Sequence, residues 1–400
     1  MTYDVQAVRR RFPAQTEGAA HFDGPGGTQT PDVVADAVRD ALVAAVSNRG
    51  VVTASERRAE AIVADARAAM GDLLGSDPAG IVFGRSATAL TYDLSRAFAK
   101  RWGPGDEVVV SRLDHDSNIR PWVQAADAVG AAVRWVEFDP VTGEVSLAAV
   151  EEVLSERTRL VAITAASNLI GTGPPIRQIA ERVHAVGAVL WVDGVHATAH
   201  ASVDRPRLGA DVWTCSPYKF LGPHLGVAAA DPALWETLRM DKLLPSTDDV
   251  PERFELGTLP YELLAGVTAA VGFLAGLDPD AAGTRRDRLV ASFAALEDHE
   301  DALLAVLEPA LRGLPGVTVY SNAAARTPTL LFTHERYSPA DVYRGLGERG
   351  VNAPASHFYA LECSRRLGLG DAGGVRVGLA PYTDHTDVNR LLDALGDLLA

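Results

Sequence analysis

The chain has 400 residues, of which 47% are hydrophobic and 22% charged, and its net charge is -15. Such a length and composition describe a folded chain with a large core and room for more than one domain, not a disordered polymer. The acidic balance argues against nucleic acid or an anionic membrane as a main partner, the opening "MTYDVQAVRRRFPAQ" lacks a signal's apolar run, and two cysteines are too few for a disulfide framework, so a cytoplasmic location is expected.

Residues 1–20 form a polar segment with helical periodicity. "AAHFDGPGGTQTP" (19–31) then ends in a glycine-rich turn, and helical patterns cover 32–46 and 56–74. From there strands and helices alternate. Strands are expected at 80–84, 106–111, 131–138, 158–164, 188–194, 211–216 and 226–231, with helices from Ser86 and over 118–129, 147–154 and 176–187 between them. Several strands are apolar on both faces, as in a mostly parallel sheet covered by helices on each side, so 21–265 reads as a doubly wound α/β domain. Helices at 261–276 and 284–312 follow. Strands at 317–321, 327–333 and 373–380, with helices at 339–349 and 386–399, make a smaller C-terminal α+β domain within 266–400. No segment has the uninterrupted apolar length of a membrane span.

In open α/β sheets ligands sit beyond the carboxyl ends of the strands. Here those ends deliver "RSATAL", "RLDHDSN", "AASNLIGT", "VHATAH" and "PYKFLGPH" to one rim. Ser86, Ala87 and Thr88 open a helix and suit a phosphate. Asp193 closes an apolar strand and needs a cationic partner. Asn168 offers a hydrogen bond to a phenolic oxygen, and His115 a flat face. Lys219 offers an amine, and it is one of only three lysines (with Lys100 and Lys242) among 37 Lys+Arg. A guanidinium does not serve as a nucleophile; a desolvated amine does. Taken singly, each residue has an ordinary reading: Lys219 or His115 as a loop residue, Asp193 or Ser86 as a helix cap. Together the five groups match pyridoxal 5'-phosphate (PLP). His196 and His200, four apart, lack the glutamate of an HExxH zinc site, so no metal is expected.

The ordered set of segments resembles the fold-type I PLP enzymes of the class V aminotransferase family, on the cysteine desulfurase branch. "LDHDSNIRPW", "AASNLIGT", "VDGVHA", "CSPYKFLGP", "FELGTLP" and "GGVRVGLAPY" carry the likeness. The resemblance implies that His115 stacks on the cofactor ring and Asn168 meets its phenolic oxygen. It implies that Asp193 pairs with the pyridine nitrogen, with His196 standing where glutamine is usual. Ser216 becomes a phosphate contact and Lys219 the Schiff-base lysine. Gly257 and Thr258 touch the phosphate of a neighbouring subunit in a homodimer with shared active sites. Arg376 becomes the clamp for a substrate carboxylate, Gly26 lies in the opening segment at the substrate, and His357, Tyr359 and Arg365 line the pocket.

The likeness fails at one place. The branch's nucleophilic loop cysteine is absent, and "HFYA" puts Tyr359 there, with Cys363 four residues on at the start of a helix. β-Elimination from cysteine or a cysteine S-conjugate needs no protein thiol, so C–S cleavage of that kind is the expected reaction. Desulfuration through Cys363, transamination or epimerisation, and a non-catalytic binding role on the same fold remain the alternatives.

Overall fold

Apolar residues alternate along the central strands, and the two sets build a core on each face of one sheet. In the computed structural model, which describes residues 3–399, a short helix Val5–Arg9 and a 3-10 turn Pro13–Glu17 come first, followed by the short strand β1 (Ala20–His21) and the helices Asp32–Val43 and Ala54–Leu74. Then follow β2 (Ile81–Gly84), β3 (Glu107–Ser111), β4 (Ala132–Val136), β5 (Thr158–Thr164), β6 (Val189–Asp193), β7 (Val212–Cys215) and β8 (Gly226–Ala230). These seven form one sheet in the order β2-β8-β7-β6-β5-β3-β4. Val109, Val161, Ile163, Leu190 and Val192 point into the core on one face, and Val108, Val110, Leu160, Ala162 and Trp191 into that on the other. This is the period-two alternation of a strand buried on both sides. The architecture is the expected fold-type I α/β arrangement with a mostly parallel sheet.

Only β8 runs against the rest, pairing antiparallel with both β2 and β7. The parallel strands are joined through helices such as Ala87–Ala99, Arg120–Val129 and Ile176–Ala185. β7 and β8 are instead joined by the loop 216–225, whose single 3-10 turn is too short for a helical crossover, and an antiparallel return is what such a link permits. That loop carries Lys219. Gly226 ends it against the start of the helix Ala87–Ala99, where an added Cβ would lie 2.2 Å from the Ser86 carbonyl carbon.

The C-terminal unit adds β9 (Val317–Val319), β10 (Thr329–His334), β11 (Val351–Asn352), β12 (Ala355–Ser356) and β13 (Gly374–Gly378). Four of these form an antiparallel sheet ordered β12-β13-β10-β9, while β11 pairs in parallel with β1. Ala20 and Phe22 therefore sit in the C-terminal core beside Val351 and Val377. The helix Tyr261–Leu274 conversely packs Leu264, Val267 and Leu274 into a core of the large sheet. Two elements thus cross the divisions drawn at residues 21 and 265, because contacts between segments distant in sequence decide where each one buries its apolar side. No helix among the described residues is long and apolar enough to cross a membrane.

The close approach at Gly226 gives a direct test. Gly226→Ala should lower stability by about 3 kcal/mol, because the added methyl has only backbone to displace. Urea unfolding of the variant against wild type checks it.

Candidate active site

The carboxyl ends of β2, β3, β5, β6 and β7 meet at a cavity of about 960 Å³, closed on its far side by the loop 356–359 and by Arg376 of β13. At one corner Ser86 caps the helix Ala87–Ala99, its hydroxyl accepting the Ala89 N–H at 3.0 Å. The N–H groups of Ala87 and Thr88 have no acceptor among the described residues and line the cavity, and the helix dipole adds partial positive charge there. Ser216, at the end of β7, lines the same cavity.

Deeper in, Asp193 ends β6 with its carboxylate buried and accepting one hydrogen bond, from the Val195 N–H at 2.9 Å. Burial pushes its pKa up to about 6, while the Val195 bond and the charge of Lys219 pull the other way. Asn168 follows β5; its amide donates to the Phe358 carbonyl at 2.9 Å, and its Oδ1 is buried without a partner. His115 follows β3. Its Nδ1 accepts the Ser117 N–H at 3.0 Å, which leaves the proton of the neutral ring on Nε2. Burial, together with the charges of Lys219, Arg376 and His357, holds its pKa down to about 4, so the ring is neutral.

Lys219 closes a single 3-10 turn after Pro217, and its Nζ donates to the carbonyls of Pro25 at 2.5 Å and Gly26 at 3.0 Å. Burial and the nearby Arg376 charge lower its pKa to about 7, with Asp193 opposing. Arg376 is 1% exposed, donates from Nη1 to the Asn168 carbonyl at 2.7 Å, and lies 3.7 Å above the centre of the Phe358 ring. Its Nε has no partner, and burial brings its pKa down to about 9, against the pull of Asp23. A Cβ on Gly26 would sit 3.4 Å from Nη2, so the glycine keeps that donor clear.

Not every expected residue converges. Gly257 and Thr258, expected at a neighbouring subunit's phosphate and not in this cavity, lie in an exposed turn outside it, with Gly257 at a φ of 89°. Arg365 does not line the cavity either: it is exposed and bonded to Asp371 at 2.9 Å, because its helix turns that face outward. His196 reaches the cavity but gives its Nε2 to the hydroxyls of Thr327 at 2.9 Å and Thr329 at 3.0 Å. His357 and Tyr359 line the cavity as expected, and the Tyr359 ring lies 5.5 Å from that of His115. The sequence gives no sign of Tyr92, Tyr218 or Phe358 as lining residues, since aromatic side chains are equally at home in a core. Arg120 could have been found: it stands four residues after Asp116 and pairs with it at 2.8 Å across one helical turn.

A buried carboxylate without a cation, an unpartnered amide oxygen and two free N–H groups at a helix start are the acceptors and donors that PLP's ring nitrogen, phenolic oxygen and phosphate call for. The comparisons agree. The family described as Aminotransferase class-V matches residues 20–391. The chain belongs to that family. It is 36% identical to an uncharacterized protein of Mycobacterium tuberculosis (strain CDC 1551 / Oshkosh) over 100% of both chains. It is 30% identical to a cysteine desulfurase of Dickeya dadantii (strain 3937), covering 98% of this chain and 96% of that one. Among solved structures, the cysteine desulfurase CsdA from Escherichia coli shares the fold with a TM-score of 0.87 at 24% identity, covering 100% of this chain and 99% of that one. The protein is thus a PLP-dependent, cysteine desulfurase-like enzyme acting on an amino acid.

An amine with a pKa of about 7 is half neutral at that pH. Covalent capture of added PLP by the apo-protein should therefore speed up as pH rises to about 7 and level off above it. An unperturbed lysine would instead keep gaining about tenfold per pH unit up to roughly pH 10. Stopped-flow absorbance between pH 6 and 9 separates the two.

Proposed function

We propose that this enzyme is a homodimer that cleaves the C–S bond of cysteine or a cysteine S-conjugate by β-elimination. The observation that carries the reading is the loop 357–360. It faces the cavity with Tyr359, 70% exposed, where the resemblance places a sulfur-accepting cysteine in the desulfurases. Both thiols of the chain lie elsewhere: Cys215 and Cys363 are 0% exposed, and burial raises each thiol's pKa far above its ordinary value. A thiol that does not ionise is a poor sulfur acceptor. Desulfuration through Cys363 is disfavoured for that reason.

In this reading Lys219 is the covalent anchor, the Ala87 and Thr88 N–H groups with Ser86 and Ser216 hold the phosphate, and Asn168 meets the phenolic oxygen. Bound PLP supplies an electron-accepting ring that stabilises negative charge developing at a substrate's Cα. Asp193 holds a proton on the ring nitrogen, and the neutral His115 ring covers one face. Arg376, with Nη2 and Nε unengaged, takes the substrate carboxylate in two charge-assisted hydrogen bonds. Lys219, its amine released as the substrate's own amine takes its place and tuned toward neutrality, would remove the Cα proton. Departure of the Cβ sulfur as a thiol then leaves a C3 fragment that water converts to pyruvate and ammonia. The net change is S-conjugate plus water to thiol, pyruvate and ammonia.

The dimer is supported by exposed Leu42, Val43, Val51, Val52 and Leu256, large apolar side chains on segments tied together by the Arg49–Glu252 ion pair at 2.9 Å. Leu256 adjoins Gly257 and Thr258, so a contact there carries that turn toward a second copy. The test is product analysis of the holoenzyme with L-cysteine and a panel of S-conjugates. Pyruvate and ammonia in equal amounts are expected; alanine as the main product, or conversion of the cofactor to pyridoxamine phosphate, would overturn the reading. Lys219→Ala should lose the visible absorption band of the bound cofactor, and borohydride-trapped wild-type peptide should carry the label on Lys219 and not on Lys100 or Lys242.

A further inference from the structure

Behind the cavity lies a buried acid–base pair that the proposed chemistry does not use. His200, at the end of the 3-10 turn that follows His196, places Nδ1 3.0 Å from Oε2 and 3.2 Å from Oε1 of Glu300. Glu300 comes from the helix Arg285–Gly313, a hundred residues further along the chain, and the two side chains are only 6% and 2% exposed. A hydrogen bond buried to this degree fixes the ring's direction, and breaking one partner leaves the other desolvated and unsatisfied.

The His200 ring meets the His196 ring edge-on, with centres 5.0 Å apart and planes at 68°. His196 is thereby held at two points: the Thr327 and Thr329 hydroxyls at Nε2, and the edge contact with His200. Beside the two histidines is a small void of about 10 Å³, which Lys219, Thr28 and Gly24 also line. That is the room of about one water molecule. A void on one side means that packing alone does not fix these rings. The directional bond to Glu300 supplies what packing leaves out.

We propose that Glu300 and His200 are positioning residues for His196: the carboxylate fixes the His200 ring, and His200 in turn fixes the His196 ring at the wall of the cofactor cavity. The inference rests on the reading that PLP fills that cavity with Lys219 as its anchor. It gives His200 and Glu300 a task that a scaffold role does not include, which is setting the orientation of a group beside the bound ring.

The experiment is a double-mutant cycle on the holoenzyme, read by the PLP release rate and by the position of the bound cofactor's absorption band. Glu300→Leu should speed PLP release by about tenfold and move the band, whereas Glu300→Gln, which keeps an acceptor for His200, should stay within about twofold of wild type. In a His196→Gln background the same Glu300→Leu change should alter release by less than about twofold, because the ring it acts through is gone. His200→Phe, which keeps an aromatic ring but loses the bond to Glu300, gives a second route if Glu300→Leu does not fold, and should show the same dependence on His196. Equal effects of Glu300→Leu or His200→Phe in both backgrounds, or a lower melting temperature with release and band unchanged, would overturn the inference. Borohydride trapping in every variant keeps the two levels apart: label on Lys219 with no coupling refutes the positioning role alone, and label absent from Lys219 in wild type refutes the underlying reading.

Discussion

Lys219, Asp193 and Arg376 share one buried cavity, and none of them forms an ion pair among the described residues. The ammonium rests on the backbone carbonyls of Pro25 and Gly26, the guanidinium on the carbonyl of Asn168, and the carboxylate on the Val195 N–H. Burying charge in this way is costly, and a chain selected only for stability would pair these groups or replace them with apolar ones. The arrangement persists because sheet and loops hold the three apart. In the proposed function each is given its own counter-group: a ring nitrogen for Asp193, a carboxylate for Arg376, an aldehyde for Lys219. Burial shifts their acidity accordingly, upward for the acid and downward for the two bases.

The loop that faces these charges is shaped by an unusual backbone. Phe358 and Tyr359 both have positive φ, 48° and 61°, a region that aromatic residues seldom adopt. The loop is held there from two sides, by Asn168 donating to the Phe358 carbonyl and by the Asp116 N–H donating to the Tyr359 carbonyl at 2.8 Å. Strain of this kind survives only where surrounding contacts outweigh it. Its effect is to lay Phe358 over the Arg376 guanidinium and Tyr359 beside His115. Aromatic surface thus faces the cavity from this loop.

Much of this could be read from the residues alone, for a physical reason. The inner strands of the large sheet are buried on both faces, so apolar runs mark β3, β5, β6 and β7 to within a residue or two, and whatever follows each run must lie on the rim. Asp193, Lys219, His115 and Asn168 come from that logic. What was hidden depends on distance in sequence or on backbone shape. β1, β11 and β12 are two residues long, too short for any periodicity to register. Glu300 reads as one more acid on a polar helix until the fold sets it against His200. Nothing in the letters of "HFYA" announces a left-handed backbone, and the exposed turn at Gly257 does not reveal from one chain alone what it was expected to touch.

β1 carries a further consequence. Its neighbour is β11, so Ala20 faces Val351 and His21 faces Asn352, while Pro25 and Gly26, just beyond it, hold the amine of Lys219. A nascent polypeptide that has emerged only as far as the long helix Arg285–Gly313 already contains every strand of the large sheet and the lysine itself. It still lacks β11, the strand against which β1 pairs, and the C-terminal core that takes in Ala20 and Phe22. The cavity, which also takes its wall from the loop 356–359 and Arg376, is consequently among the last features to be completed during synthesis.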